Sequence, residues 1–235
     1  MNLPSILFRS PLVLAMLLSF AGLQHLAAIT PGQADTFQDG MTANWMNGGT
    51  VQPQNISTGG PAGNGDRFME LTADGSGTNG RLTVFNRTQW LGNYVSSGVN
   101  EIDLDLNNFS NVTLSIRLAF KSGTFGGAPG YVTTTAFTLA PNSGWQHATF
   151  SITAGAMTGV GNPSAFATFF TAPAEFRVIN ASTTSDLNGD AVIGQLGIDN
   201  IIAVPEADTL VLVSTGIVAL TCWIRRGKAS RSGAP

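Results

Sequence analysis

The chain has 235 residues, of which 11% are charged, 28 are glycine and only one is cysteine. This length is enough for one sandwich or barrel with a sizeable core, and the scarcity of charged helix formers excludes a mainly helical protein. The formal net charge is −3, and the middle of the chain has no cluster of Lys or Arg, which excludes a phosphate-binding surface for nucleic acid.

The first 34 residues have the layout of a secretory signal peptide. Arg9 precedes an apolar stretch from Pro11 to Leu23, and small residues follow it. A positive region, an apolar core and a small-residue cleavage site occur in this order in exported proteins. Cleavage is predicted after Ala28 or Ala34, and residues 1–34 are assigned to the signal helix. An uncleaved membrane anchor is the alternative.

Residues 35–203 are predicted to form an all-β domain, a two-sheet sandwich of the jelly-roll type. In "EIDLDLNNF", three apolar residues alternate with Glu101, Asp103 and Asp105, which is the pattern of a half-buried strand. "VTLSIRLAF", "HATFSIT", "EFRVIN" and "LGIDNIIAV" are further short strand candidates, and Gly, Asn and Ser separate them. Val112, the first residue of "VTLSIRLAF", is expected on the apolar side of that strand.

Three segments carry a distant resemblance to carbohydrate-binding jelly-roll modules: "DTFQDGMTANW", "GWQHATFSIT" and "GIDNIIAV". In such modules an early acidic residue and an aspartate of the last strand often flank a structural calcium ion. The resemblance therefore implies Asp39 and Asp199 as candidate calcium ligands. The alternative is that these side chains only cap a turn and a strand end.

An aromatic and polar patch, "NRTQWLGNY", is the strongest candidate for sugar binding. Trp90 and Tyr94 would offer rings for stacking, and neighbouring Asn, Arg and Gln side chains would bond to hydroxyl groups. The other notable tryptophan of this region, Trp145, is assigned to the core.

Other candidate chemistry in the middle region is weak. "DLNGDAVIGQLG", from Asp186 to Gly197, begins like a calcium-binding loop, but it lacks the glycine and the closing glutamate that such a loop needs. The acidic residues at 101, 103 and 105 would suit glycoside hydrolysis only if two of them faced each other across a sugar. His147 is the only histidine of the region, so no histidine-rich zinc site is expected. We therefore predict no catalytic role.

The C-terminal end combines a short motif, an apolar run and a basic tail. Val204, Pro205 and Glu206 precede an apolar segment at residues 209–224, which is predicted to be a transmembrane helix. Arg225, Arg226 and Lys228 open the tail at residues 225–235, and such residues prefer the cytoplasmic side of a membrane. Cys222 lies inside the apolar run, so it forms no disulfide within the chain.

This order of elements at residues 204–235 resembles the PEP-CTERM sorting signal of exported proteins in Gram-negative bacteria. Val204, Pro205 and Glu206 match its motif, whereas Ala207 replaces the second proline. The middle region also resembles the ectodomains of such proteins. The resemblance implies an inner-membrane precursor, processing by an exosortase-type transpeptidase, and delivery to the cell surface or to extracellular polysaccharide. We therefore expect a display or adhesion protein, and the alternative is a carbohydrate-binding module with a structural calcium ion.

Overall fold

The structure is a computed structural model that describes residues 28–206. This part of the chain forms twelve strands, two one-turn α-helices and a short 3-10 helix. In chain order the strands are β1 (Ala34–Asp35), β2 (Gln54–Ile56), β3 (Phe68–Asp74), β4 (Thr83–Asn86), β5 (Val99–Asn108), β6 (Leu114–Lys121), β7 (Gly130–Thr133), β8 (Phe137–Leu139), β9 (Trp145–Ser151), β10 (Met157–Val160), β11 (Glu175–Asn180) and β12 (Ile193–Pro205). The α-helices are α1 (Tyr94–Ser97) and α2 (Phe166–Phe169), and the 3-10 helix is Gly77–Asn79.

The strands form two six-stranded sheets, which confirms the prediction of an all-β sandwich. The first sheet has the order β2-β3-β12-β5-β9, with β1 also paired to β12. The second has the order β10-β7-β6-β11-β4, with β8 also paired to β6. All these pairings are antiparallel.

The core lies between the sheets and consists of the alternate apolar residues of each strand. Leu104 and Leu106 of β5 and Leu118 of β6 are completely buried. Burying one such side chain stabilises a fold by about 1.5–3 kcal/mol. Val112 is an exception to the predicted alternation, because β6 begins only at Leu114 and Val112 is 42% exposed.

The sandwich includes more of the chain than the predicted residues 35–203. Ile29 is buried, and its backbone N–H donates to the carbonyl of Leu91 at 2.8 Å. Gly32 N–H donates to the carbonyl of Ala203 at 2.8 Å. At the other end, β12 continues to Pro205. The folded sandwich therefore extends beyond the predicted boundary at each end, before residue 35 and after residue 203.

The outer side of the second sheet carries a buried ion-pair cluster. Glu175 is fully buried and accepts hydrogen bonds from Nε of Arg87, at 2.5 Å, and from Nε of Arg177. The segment after β11 packs Leu187 against this side of the sheet, next to Val132. A carboxylate in such a place stays stable because both of its oxygens have cationic partners.

Candidate functional site

The outer side of the first sheet carries a continuous face of polar side chains, which we call the acidic face. Its central row crosses all five strands of the main path: Gln54 on β2, Glu70 on β3, Gly197 on β12, Asn107 on β5 and Trp145 on β9 are successive cross-strand partners. Directly opposed residues on one face have Cβ atoms about 5 Å apart. The row therefore places several hydrogen-bonding groups at regular spacing.

Acidic side chains on β5 dominate the adjoining part of this face. Asp103 and Asp105 point away from the core, as the period-two pattern predicted, and Glu101 belongs to the same series. His147 lies opposite Asp105, and its Nδ1 is 3.0 Å from Oδ1 of that residue. Its Nε2 is 3.7 Å from Oδ2 of Asp103. Burial and the neighbouring charge of Asp103 raise the pKa of Glu101, and His147 opposes that shift.

Asp199 is a buried carboxyl group on the acidic face. It stands opposite Asp105 in the β12–β5 ladder and is fully buried. Its Oδ1 accepts the backbone N–H of Asn200 at 2.8 Å, whereas its Oδ2 has no hydrogen-bond partner. Burial raises the pKa of Asp199 from 3.8 to about 7, with smaller contributions from the charges of Asp66 and Asp105.

A bulge in β12 creates the environment of this carboxyl group. The ladder with β5 shifts register between Asp199 and Ile202, and Asn200 has a left-handed φ of 48°. The extra residue lets Ile198 and Ile201 both enter the core while Asp199 stays on the outer side. Asn200 also donates from Nδ2 to Oδ2 of Asp105 at 2.8 Å, which links the two strands.

The structure corrects the predicted pairing of Asp39 with Asp199. Asp39 is exposed, and its Oδ1 accepts the backbone N–H of Met41 at 2.9 Å, so it caps its own turn. Asp66 is the residue of that region whose charge acts on Asp199. Gln38, next to Asp39, donates to Oδ1 of Asp66 at 2.7 Å. Asp66 was not predicted from the sequence, because it lies in a loop with no strand pattern.

Trp145 packs over the centre of the acidic face rather than in the core, contrary to its assignment. Its ring lies above Gly197, where an added Cβ atom would be 2.9 Å from Cη2 of the indole. The ring packs edge-on against Phe68, with centroids 5.1 Å apart, and its Nε1 donates to the carbonyl of Gly59 at 2.8 Å. Trp145 is only partly buried, so part of its ring faces solvent beside the polar row.

A shallow cavity of about 450 Å³ continues from this row along the same sheet. Thr72 and Gln195 pair across β3 and β12 and line it, together with Phe109 and the turn between β5 and β6. The acidic face thus combines an aromatic surface, amide and carboxylate groups, and a hollow next to them.

Comparison with known proteins gives distant structural likenesses. No protein-family model matches the chain, and no curated protein matches it. An exo-beta-agarase structure matches 73% of this chain but only 24% of its own, at 10% identity and a TM-score of 0.49. A family 11 carbohydrate-binding module from Clostridium thermocellum, in complex with a beta-1,3-1,4-mixed-linked tetrasaccharide, matches 76% of this chain and 99% of its own, at 16% identity and a TM-score of 0.45.

The CBM22-2 xylan-binding domain from Paenibacillus barcinonensis matches 74% of this chain and 99% of its own, at 11% identity and a TM-score of 0.44. With identities of at most 16% and TM-scores of at most 0.49, these likenesses do not decide what this chain binds.

The structure contradicts the predicted sugar platform of Trp90 and Tyr94. Both side chains are in the core, with exposures of 0% and 2%. Nε1 of Trp90 donates to Oδ2 of Asp35 at 2.6 Å, and Trp45 donates to the same oxygen at 2.7 Å. The hydroxyl of Tyr94 donates to the carbonyl of Trp90 at 2.8 Å, and burial raises the pKa of Tyr94 well above its ordinary value. Neither ring has a free face for a sugar.

The segment from Asp186 to Gly197 does not form a calcium-binding loop. Oδ1 of Asp186 accepts the backbone N–H of Gly189 at 3.0 Å, and Oδ2 of Asp190 accepts the N–H of Ser182 at 2.6 Å. Oδ1 of Asn188 accepts from the guanidinium of Arg177 at 3.0 Å, and residues from Ile193 onward belong to β12. Across residues 28–206, no group of three or more His, Cys, Asp or Glu side chains is placed to hold a metal ion.

The predicted sorting motif lies at the edge of the described chain. Val204 and Pro205 pair with β5 at the end of β12, and the backbone N–H of Glu206 donates to the carbonyl of Gly98 at 3.0 Å. The predicted transmembrane segment at residues 209–224, the basic residues Arg225, Arg226 and Lys228, and most of the predicted signal peptide lie outside the described residues. Within residues 28–206 there is no helix long and apolar enough to cross a membrane.

Proposed function

We propose that this protein is an exported surface or matrix component whose sandwich binds extracellular polysaccharide on the acidic face without chemically altering it. The observation that carries the proposal is the central row of this face, where Trp145 pairs with Asn107, its ring extends over Gly197, and Glu70 and Gln54 continue the row on the far side of that glycine. Sugars are recognised by aromatic rings that pack on their C–H surfaces and by amides and carboxylates that bond to their hydroxyl groups.

The arrangement of the carboxylates favours binding over catalysis. Glycoside hydrolysis needs two carboxyl groups on opposite sides of the scissile bond. Here Asp103 and Asp105 lie side by side on one strand, and His147 is within 4 Å of both. Asp199, whose pKa burial raises to about 7, is fully buried. This face therefore offers hydrogen-bond acceptors along one surface but no opposed pair.

The proposal of export comes from the two ends of the chain. The signal-peptide layout and the resemblance of residues 204–235 to a PEP-CTERM signal support an inner-membrane precursor, an exosortase-type partner and a final place at the cell surface or in exopolysaccharide. The packing of Ile29 and Gly32 in the sandwich supports cleavage after Ala28 over cleavage after Ala34.

Binding of the purified protein to a panel of soluble polysaccharides, measured by affinity electrophoresis and calorimetry, tests the proposal. We expect saturable binding to at least one polymer, and Trp145→Ala should weaken it by about tenfold, the size of one lost aromatic contact. Phe125→Ala is the matched control, because Phe125 is 65% exposed near the second sheet. Equal losses in both variants, or no binding to any polymer, would remove this function.

A structural calcium ion is the second candidate, and the unpartnered Oδ2 of Asp199 is the observation that favours it. Asp199 is the carboxylate that would hold the ion, and backbone carbonyls and water would have to supply most of a shell of six to eight oxygens. Calcium should then raise the melting temperature of the protein but not that of Asp199→Asn. Identical melting temperatures with calcium and with a chelator would exclude this site.

A further inference from the structure

Among the strands of the sandwich, Lys and Arg occur only in the second sheet. The six strands of the first sheet contain no Lys or Arg, whereas β6 and β11 of the second sheet carry Arg117, Lys121 and Arg177. On the acidic face, His147 is the only side chain of these strands able to become a cation. The acidic residues of the first-sheet strands are Asp35, Glu70, Asp74, Glu101, Asp103, Asp105 and Asp199.

Two oxygen atoms on this face lack hydrogen-bond partners. Within residues 28–206, the only buried side-chain polar atoms without a partner are Oδ1 of Asp103 and Oδ2 of Asp199. Both belong to carboxyl groups on adjacent strands of the acidic face, since β12 pairs with β5 through Asp199 and Asp105. A buried acceptor without a donor is costly, and most such atoms in folded proteins are satisfied. The protein therefore leaves part of the acceptor capacity of these two carboxyl groups unused, which adds to the excess of acceptors and negative charge on this face.

We propose that the acidic face binds a polysaccharide that carries free primary amino groups, so that an ammonium group of the ligand donates to Asp103 and its neighbours. This inference rests on the proposed carbohydrate-binding function and specifies its ligand. Oδ1 of Asp103 is itself buried, but the side chains of Asp103 and Asp105 are 21% and 18% exposed, so a group on the ligand can approach their outer edges from solvent. Asp199 lies buried next to them and adds its charge when ionised.

An ammonium group suits these acceptors better than a hydroxyl group does. It carries three N–H donors and a positive charge, and hydrogen bonds between ionised partners are roughly twice as strong as neutral ones. The negative potential of a sheet without Lys or Arg also attracts a cationic polymer and repels a polyanion. The amides and Trp145 of the central row would contact the uncharged parts of the sugar rings.

Three oligosaccharides of equal length test the inference by calorimetry on the whole sandwich: a glucosamine oligomer, its fully N-acetylated form and an oligomer of a uronic acid. We expect the glucosamine oligomer to bind at least tenfold more tightly than the N-acetylated form, and the uronic acid oligomer not to bind. Raising the salt concentration should weaken the first interaction, because salt screens exposed charges.

Asp103→Asn should weaken binding of the glucosamine oligomer about tenfold. Asp74→Asn is the matched control, since it removes the same charge from an exposed position at the end of β3, where the carboxylate only accepts N–H and O–H groups of Ser76. Equal effects of the two variants, or equal affinity for the amine and N-acetyl forms, would overturn the inference but leave the carbohydrate-binding function standing. Tighter binding of the uronic acid oligomer would also overturn the inference and leave the carbohydrate-binding function standing. Failure of all three oligomers and of the wider polysaccharide panel would remove both.

Discussion

The stability of the sandwich should depend on pH through Asp199, and Asp199→Asn should remove that dependence. The folded state raises the pKa of this carboxyl group from 3.8 to about 7. Because the folded state holds the proton more tightly than the unfolded chain, the stabilising contribution is complete below about pH 4 and is lost as the pH rises through about 7. Each pKa unit corresponds to about 1.4 kcal/mol, so the loss is at most about 4 kcal/mol.

The measurement is the free energy of unfolding in denaturant at pH 4 and at pH 8, with a chelator present so that no metal ion contributes. We expect Asp199→Asn to be more stable than the unmodified protein at pH 8, by about 2–4 kcal/mol, and nearly equal to it at pH 4. Asp74→Asn controls for the removal of one exposed carboxylate from the same sheet. A stability difference of the same size and sign at both pH values would refute the reasoning, because a neutral carboxyl group and an amide would then differ through packing alone.

Two further substitutions test how buried carboxylates hold the sandwich together. Asp35→Ala should destabilise the protein by about 2–4 kcal/mol in denaturant titrations, because the buried N–H groups of Trp45 and Trp90 both donate to Asp35 and would lose their acceptor. Asp39→Ala, which removes an exposed carboxylate, should change stability by less than about 1 kcal/mol, and equal effects would contradict this role. Glu175→Gln should lower the free energy of unfolding by about 3–5 kcal/mol, since it leaves two arginines without a buried counter-charge. An unchanged melting temperature of this variant would contradict the role of the ion pairs.

Local sequence pattern predicted much of the fold because each face of a strand has a different environment. The alternation in "EIDLDLNNF" identified both the buried Leu104 and Leu106 and the outward direction of Asp103 and Asp105. The same reasoning identified the runs that became β6, β9, β11 and β12. In each case the information lies within a few neighbouring residues.

The site could not be predicted because it depends on contacts between distant segments. Trp90 was expected at the surface, but its indole is buried in the core. There its Nε1 donates a hydrogen bond to Asp35, which is 55 residues away in the sequence. Trp145 was expected in the core, but its strand alternates so that Ala148 and Phe150 point inward while Trp145 points outward over Gly197. Asp199 was named through the resemblance alone, whereas its burial and its unpartnered oxygen depend on the bulge in β12, which a single sequence does not display.

The path of β12 has a mechanical consequence. This strand is 13 residues long, lies between β3 and β5, and ends beside the last described residue, Glu206. If the protein is attached through its C-terminal segment and binds a polymer on its acidic face, as proposed, a pull on the polymer places tension along the axis of this central strand. Tension in that direction loads the hydrogen bonds of both neighbouring ladders together, whereas tension across an edge strand opens them one after another. The C-terminal attachment and the polymer-binding face would then belong to the same sheet, so that pulling on the polymer applies a shear force to this sheet.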